Sequence, residues 1–293
     1  MTTRKLLVCA FVFLSSTQFF AQDSKTVRFG MDITPQIDWL RSGNTKDYLH
    51  QGVNGKLGFG LDLEFKITDV VKFSTGIGGT FSGGGESYNT GTTPIGYYMD
   101  NSQNPVKISD LNNELNQPVS SQIPYWSGHQ SYRLLSRVYK TTYITIPLTL
   151  KMMTKPIGPL KYFGIFGGNI EILASATATD QLINTNPATP NQALTVSGVN
   201  MMSDCNLFKA SLNVGAGAEY TLSGTTGITF GINYLRAFTS LSSSTSNYLI
   251  SGNPTYNTNP STSFSPGANS GGFTALSHSL YGDAVVLKIG ILF

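Results

Sequence analysis

Residues Leu280–Phe293, LYGDAVVLKIGILF, alternate with a period of two, and this leaves few folds open to the chain. One face is Tyr281, Asp283, Val285, Leu287, Ile289, Ile291 and Phe293. The other is Leu280, Gly282, Ala284, Val286, Lys288, Gly290 and Leu292. Successive side chains point to opposite faces only in an extended, pleated backbone, so the stretch reads as a strand. Its first face is apolar from Val285 onward, whereas the second mixes small residues with a lysine. Such a strand, ending on an aromatic residue, is expected at the closing seam of an outer-membrane β-barrel. Phe293 is then the C-terminal signal that outer-membrane assembly machinery reads.

The same period recurs upstream. Val27–Trp39 places Val27, Phe29, Met31, Ile33, Ile37 and Trp39 opposite Arg28, Asp32, Gln36 and Asp38. Next, Leu57, Phe59, Leu61, Leu63 and Phe65 oppose Lys56, Asp62, Glu64 and Lys66, and a Thr68-Asp69 turn leads to a strand with Lys72 on its polar face. Tyr139–Met153 sets Ile144, Ile146, Leu148, Leu150 and Met152 against Tyr143, Thr145, Pro147, Thr149 and Lys151. Pro147, which has no N–H to donate, is expected to mark a bulge that helps the sheet curve. Lys161–Ala178 alternates less well, with Tyr162, Phe166, Ile170 and Ile172 opposite Asn169 and Glu171. Two further strands carry Lys209 and Glu219 on one polar face and Asn233 on the other.

Eight strands result, and their connections sort by parity. Those after the second, fourth and sixth strands are short turns. Those after the others are longer and polar, notably Glu86–Val138, Asp180–Asp204 and Ser242–Ser277. An up-and-down barrel with long loops outside and short turns inside requires this alternation. The expected fold is therefore all-β: a transmembrane antiparallel up-and-down β-barrel of eight strands with long extracellular loops. Its last strand pairs with its first, because an open edge would strand backbone groups in hydrocarbon.

The N-terminus fits the same destination. Arg4 and Lys5 precede the apolar Leu6–Leu14, so residues 1–21 read as a secretory signal cleaved after Ala21, and 22–293 as one barrel domain. Phe19 fits the small-residue rule for cleavage poorly, and Val8 before Cys9 argues against a lipoprotein signal. Removing the segment takes away two of 19 basic residues and none of 16 acidic ones, which leaves a formal charge near +1. That balance implies no nucleic-acid partner. Cys205 is then the only cysteine, so no internal disulfide and no cysteine-based metal site can form. Charged residues make up 12% of the chain, against about 25% in ordinary soluble domains. No apolar run is long enough for a helical span, and no segment carries a helical period.

The strand Thr142–Lys151, TYITIPLTLK, resembles the Y-x-x-I-P-L-x-L-K strand of the PorT-like outer-membrane β-barrel family of Bacteroidota, matched at Tyr143, Ile146, Pro147, Leu148, Leu150 and Lys151. The aromatic, glycine-rich Tyr162-Phe163-Gly164 and the C-terminal strand are similar to that family as well. The resemblance covers the barrel strands and not the long loops. It implies a small barrel in the outer membrane of a Gram-negative bacterium; the tie of a founding member to type IX secretion is not carried over to this chain.

An eight-stranded barrel has an interior that side chains fill. Arg28, Asp32, Lys56, Asp62, Glu64, Lys66, Lys209, Glu219 and Lys288 all fall on inward faces, both signs in near balance, so they are expected to form a plugged polar network rather than an ion path. The histidines His50, His129 and His278 read as polar residues of external loops. Adjacent strand residues point opposite ways, which separates His278 from Ser279. Gly83-Gly84-Gly85 lacks the helix and Lys-Ser/Thr of a phosphate loop. The sequence thus predicts a non-enzymatic barrel without cofactor or metal. It would anchor external loops or dock an envelope protein partner, with outer-membrane lipid around it. A lipid-modifying enzyme and a narrow pore are the alternatives.

Overall fold

The computed structural model describes residues 26–45, 48–88, 94–117, 128–185, 192–252 and 272–293. The signal segment 1–21 lies outside them, as do Pro118 and Pro124 and much of the last loop. The described strands are β1 (Val27–Ser42), β2 (Leu49–Gln51), β3 (Asn54–Lys66), β4 (Val71–Ser87), β5 (Ile95–Met99), β6 (Gln130–Met153), β7 (Leu160–Asn184), β8 (Ala193–Asn200), β9 (Phe208–Ser223), β10 (Thr226–Ala237), β11 (Ile250–Ser251) and β12 (Leu280–Leu292). One helix, α1, spans Ile108–Leu115.

Eight of these strands close a ring. β1 pairs β3, β3 pairs β4, β4 pairs β6, β6 pairs β7, β7 pairs β9, β9 pairs β10 and β10 pairs β12, all antiparallel. The seam is β1 against β12, in register from Gly30↔Leu292 to Ser42↔Leu280. Strand order follows chain order around the ring, which is the up-and-down barrel expected from the alternation.

The short turns are built from local chemistry. The Thr68 Oγ1 accepts the amides of Val70 at 3.3 Å and Val71 at 3.0 Å, which folds β3 back into β4. Gly158 and Gly224 take φ of +63° and +56° in the β6–β7 and β9–β10 turns, a backbone region open to glycine at little cost. Pro147 behaves otherwise than expected. The β4–β6 ladder skips from Thr75↔Leu148 to Gly78↔Thr145 with its register unchanged, so the missing N–H leaves a gap and not a bulge. The shifts in register come instead at Leu134/Ser136 and Thr142/Tyr143, in the β6–β7 ladder.

The outer face is a lipid-facing belt. Ile33, Ile37, Leu57, Leu61, Ile77, Leu148, Ile170, Phe230, Ile232 and Leu287 are all exposed. Aromatic residues flank it: Phe29, Phe65, Tyr162, Tyr220 and Phe293 toward the short turns, and Trp39, Phe81 and Tyr234 toward the long connections. On β1 the step from Phe29 to Trp39 covers roughly 25 Å at the usual rise and barrel tilt, the height of an outer-membrane barrel's apolar band. A closed antiparallel ring wearing such a belt spans a bilayer in the manner of bacterial outer-membrane barrels. Among the described residues, no helix is long and apolar enough to cross a membrane.

The long connections are not loops throughout, and here the expectation is corrected. β6 and β7 run for 24 and 25 residues. At a barrel's tilt that is roughly 60 Å along the axis, about twice the hydrocarbon thickness. Above the belt β2 pairs β4, β5 pairs β6, β8 pairs β7 and β11 pairs β5. These extensions enclose a core of Leu40, Ile95, Tyr97, Leu134, Tyr139, Leu182, Val199 and Leu280 among others. Helix α1, also unexpected, seals one flank with Ile108 and Leu111 against Tyr98 and Ile250. The glycine run 83–85 serves this packing, since a Cβ on Gly84 would lie 2.6 Å from the Leu40 Cγ. The result is a folded cap on the long-connection side.

The seam offers a direct check. Paired strand residues lie within disulfide reach, and diagonal neighbours do not. In a chain refolded without residues 1–21 and carrying Cys205→Ser, the pair Ile37→Cys and Val285→Cys should cross-link spontaneously. The pair Ile37→Cys and Leu287→Cys should stay largely reduced. Equal cross-linking of both pairs, read by gel mobility, would contradict the register.

Candidate functional site

Charged side chains inside the barrel gather in separate clusters. Nearest the short turns, Glu64 and Glu219 sit among Arg28, Lys72 and Lys151. Lys151 Nζ lies 2.5 Å from Glu64 and 3.1 Å from Glu219; Arg28 Nη1 lies 2.8 Å from Glu219 and 3.5 Å from Glu64; Lys72 Nζ lies 3.2 Å from Glu64. These groups reach one another because Arg28 faces Glu64 across the β1–β3 ladder and Lys72 faces Lys151 across β4–β6. The Lys151 ammonium also rests 4.5 Å from the centre of the Phe163 ring. That ring lies over Gly217, whose added Cβ would stand 2.5 Å from the Phe163 Cζ.

A second cluster joins Lys288 to Asp62 at 2.8 Å and Asp32 at 3.1 Å. A third pairs Lys209 with Glu171 at 3.0 Å, the ammonium 4.5 Å from the Tyr143 ring centre. Asp38, almost wholly buried, accepts hydrogen bonds from the Gln36 amide at 2.9 and 3.0 Å. A cavity of about 90 Å³ is lined by Thr34, Gln36, Thr80, Asn169, Asn213 and Asn233, room for a few waters.

The residues expected in one network are therefore divided. Arg28, Glu64 and Glu219 meet, as do Asp32, Asp62 and Lys288; Lys209 joins Glu171. Lys66 is not part of the interior network: it reaches Asp69 in the turn at 2.7 Å, with a third of its side chain exposed. Lys56 points inward near Gly83 and has no ion pair among the described residues. Phe293 turns its ring to the lipid side, and its amide donates to the Phe29 carbonyl at 2.7 Å.

Two buried arrangements in the cap were not legible from spacing. Arg137 donates through Nε and Nη2 to the two oxygens of Asp180 at 2.7 and 2.6 Å, and the Tyr97 hydroxyl adds a bond to Asp180 at 2.6 Å. The guanidinium lies 5.8 Å from the ring centres of both Tyr97 and Tyr139. Burial alone would lower the Arg137 pKa, but the Asp180 carboxylate overrides it and holds the group well above its ordinary value. Burial, with Asp180 adding, raises the Tyr97 hydroxyl well above its own.

His278 is the second, and it corrects the expectation of a polar loop histidine. Its ring is buried, 3.2 Å from Glu86 and beside the rings of Tyr48 and Tyr88. No nucleophile meets its ring among the described residues. Cys205 is buried too, and burial pushes its thiol up to about 12, so it is protonated and inert at neutral pH. No group of three or more His, Cys, Asp or Glu residues arranged to hold a metal occurs among the described residues.

No protein-family model matches the chain, and no curated protein matches it. Solved structures similar to it include Neisserial surface protein A (8% identity, 92% of this chain and 98% of that one, TM-score 0.38). The outer membrane protein OprG from Pseudomonas aeruginosa matches at 10% identity over 92% of this chain and 97% of that one, TM-score 0.37. Ail, the attachment invasion locus protein of Yersinia pestis, matches at 10% identity over 92% and 100%, TM-score 0.29. The closed ring of paired strands, not these likenesses, carries the fold.

Removing one partner of a buried ion pair leaves the other charge stranded, at a cost of roughly 3–5 kcal/mol. Glu64→Ala, which strands Lys72 and leaves Lys151 and Arg28 to share Glu219, should therefore lower the gel-shift unfolding temperature clearly. Lys66→Ala, which opens only a solvent-facing pair, should leave it unchanged within error. Equal shifts would mean that the inner cluster is solvated and contributes no more than a surface pair.

Proposed function

We propose that the chain is a sealed, non-enzymatic barrel of the outer membrane of a Gram-negative bacterium, whose folded cap anchors external structure or docks an envelope protein partner. The observation that supports this reading best is the cap itself. Strands that could have ended at the membrane surface continue into an apolar core with a bidentate, fully buried Arg137–Asp180 pair. A chain that conducted solutes through its lumen would keep that region open.

The lumen supports the same reading. Its clusters carry both signs in near balance and hold each other at 2.5–3.5 Å, as a plug requires. Catalysis is absent from the proposal because His278 is committed to Glu86 and Cys205 is buried and protonated. Kinship with the PorT-like barrels of Bacteroidota belongs to this proposal on the strength of Tyr143–Lys151, as do a cleaved signal at 1–21 and assembly through the terminal Phe293. The short turns then face the periplasm and the cap faces outward.

Two measurements test the reading. Ser102, in an exposed turn of the cap region, should label with an impermeant maleimide on intact cells when carried as Ser102→Cys in a Cys205→Ser background. The purified barrel in a planar bilayer should show no steady conductance. Reproducible open-channel steps whose ion preference changes in Glu64→Lys would make the protein a pore and end the sealed-barrel reading.

A further inference from the structure

At the short-turn end the barrel opens into a mouth of about 280 Å³ lined by Thr26, Arg28, Lys66, Lys72, Lys161 and Glu219, among others. Charge there is unequal. Glu64 and Glu219 are shared among Arg28, Lys72 and Lys151, three cations around two carboxylates. Asp69 neutralises Lys66. Lys161 stands opposite Glu219 in the β7–β9 ladder but forms no ion pair among the described residues. Among the described residues, two positive charges therefore remain at the mouth. The nearest opposing excess, Asp32 and Asp62 around Lys288, begins two residues deeper, where Asp62 stands opposite Gly30, roughly 7 Å along the strand.

Arg28 adds geometry to that charge. It is only 9% exposed, and both of its ion pairs use Nη1. Among the described residues, its Nε and Nη2 have no hydrogen-bond partner. These two donors form the edge of the guanidinium fork that binds a carboxylate or phosphate with two parallel hydrogen bonds. A buried donor left unpaired is costly, and here two lie on one planar edge. Thr26, Thr221 and Thr225, residues with a neutral hydroxyl, line the same mouth.

We propose that this mouth is an oxyanion site for a phosphate group, held by the free Nε–Nη2 edge of Arg28 and by the charges of Lys72 and Lys161. A phosphate anion suits the site because two positive charges are unmatched and the space exceeds that of a halide. Phosphate of this kind reaches the mouth either as a soluble ion or ester, or as the headgroup of an anionic lipid in the adjoining leaflet. The proposal stands apart from the sealed-barrel reading, since a conducting barrel could carry the same site.

The test uses the complete barrel, refolded in a zwitterionic detergent and titrated with inorganic phosphate at constant ionic strength, followed by calorimetry. Saturable binding is expected. Arg28→Lys, which keeps the charge and loses the fork, should weaken it roughly tenfold, as one charge-assisted hydrogen bond does. Lys161→Gln removes a cation with no ion pair to break. It should weaken phosphate several-fold while leaving the gel-shift unfolding temperature at the wild-type value. A parallel arm places the barrel in nanodiscs of phosphatidylglycerol or phosphatidylcholine and reads retained lipid by native mass spectrometry. Selective retention of phosphatidylglycerol, lost in Arg28→Lys, identifies the headgroup as the source; phosphate binding without such retention identifies the soluble group. Absence of both, or affinities undiminished in Lys161→Gln and Arg28→Lys alike, overturns the proposal.

Discussion

Within hydrocarbon, every backbone N–H and C=O must find its partner inside the protein, since no water is there to replace one. That requirement makes the β1–β12 seam the feature on which the rest depends. With the seam formed, each strand of the ring has a neighbour on both sides, and the apolar belt faces lipid as a continuous wall. Without it, two long edges of β1 and β12 would lie unpaired in the bilayer. The proline in β6 shows how narrow the tolerance is. Pro147 has no amide to give, so the β4–β6 ladder lapses beside it while the β6–β7 ladder continues through Pro147↔Asn169. One strand edge carries the defect, and the other holds the strand in place.

The closed wall sets the problem that the interior solves. Lysine, arginine and carboxylate groups on the inward faces leave bulk water, and each must recover its solvation from neighbours. They do so by sharing. Glu64 serves three cations and Glu219 two, while Lys151 and Lys209 each rest against an aromatic ring. Shared pairs of this kind add little net stability over an apolar filling. They do penalise any misregister, because sliding one strand by a residue would send these charges into lipid.

The sequence was legible wherever one face of a strand meets lipid and the other does not. Residues 57–65 and 285–293 alternate cleanly for that reason, and the eight-strand ring with its β1–β12 seam followed from them. Above the belt the rule fails. There both faces of a strand can be buried, one in the cap core and one beneath helix α1, so Ile95–Met99 is buried at all five positions and shows no period. Glu86–Ser87 and the run Gln130–Val138 read as loop, yet they end β4 and open β6 as parts of two long strands. Inside the ring, alternation identified which residues point inward but not which meet, because partners such as Glu64 and Glu219 come from opposite sides of the barrel, 155 positions apart in the numbering. Lys66 went astray for a related reason: at a strand end, the turn residue Asp69 is closer than any group across the lumen.

The cap has a consequence for the order in which the molecule forms. Its core is enclosed by the outward ends of β4, β6 and β7, with Leu40 of β1 and Leu280 of β12 among its members. Those last two residues come together only when the first and final strands meet, so the cap core cannot be complete before the ring is. Until then Tyr97, Tyr139, Leu182 and their neighbours lack part of the surface they pack against. The core of the cap is thus completed only by closure of the ring, and a chain held short of closure should show the cap as a protease-sensitive segment.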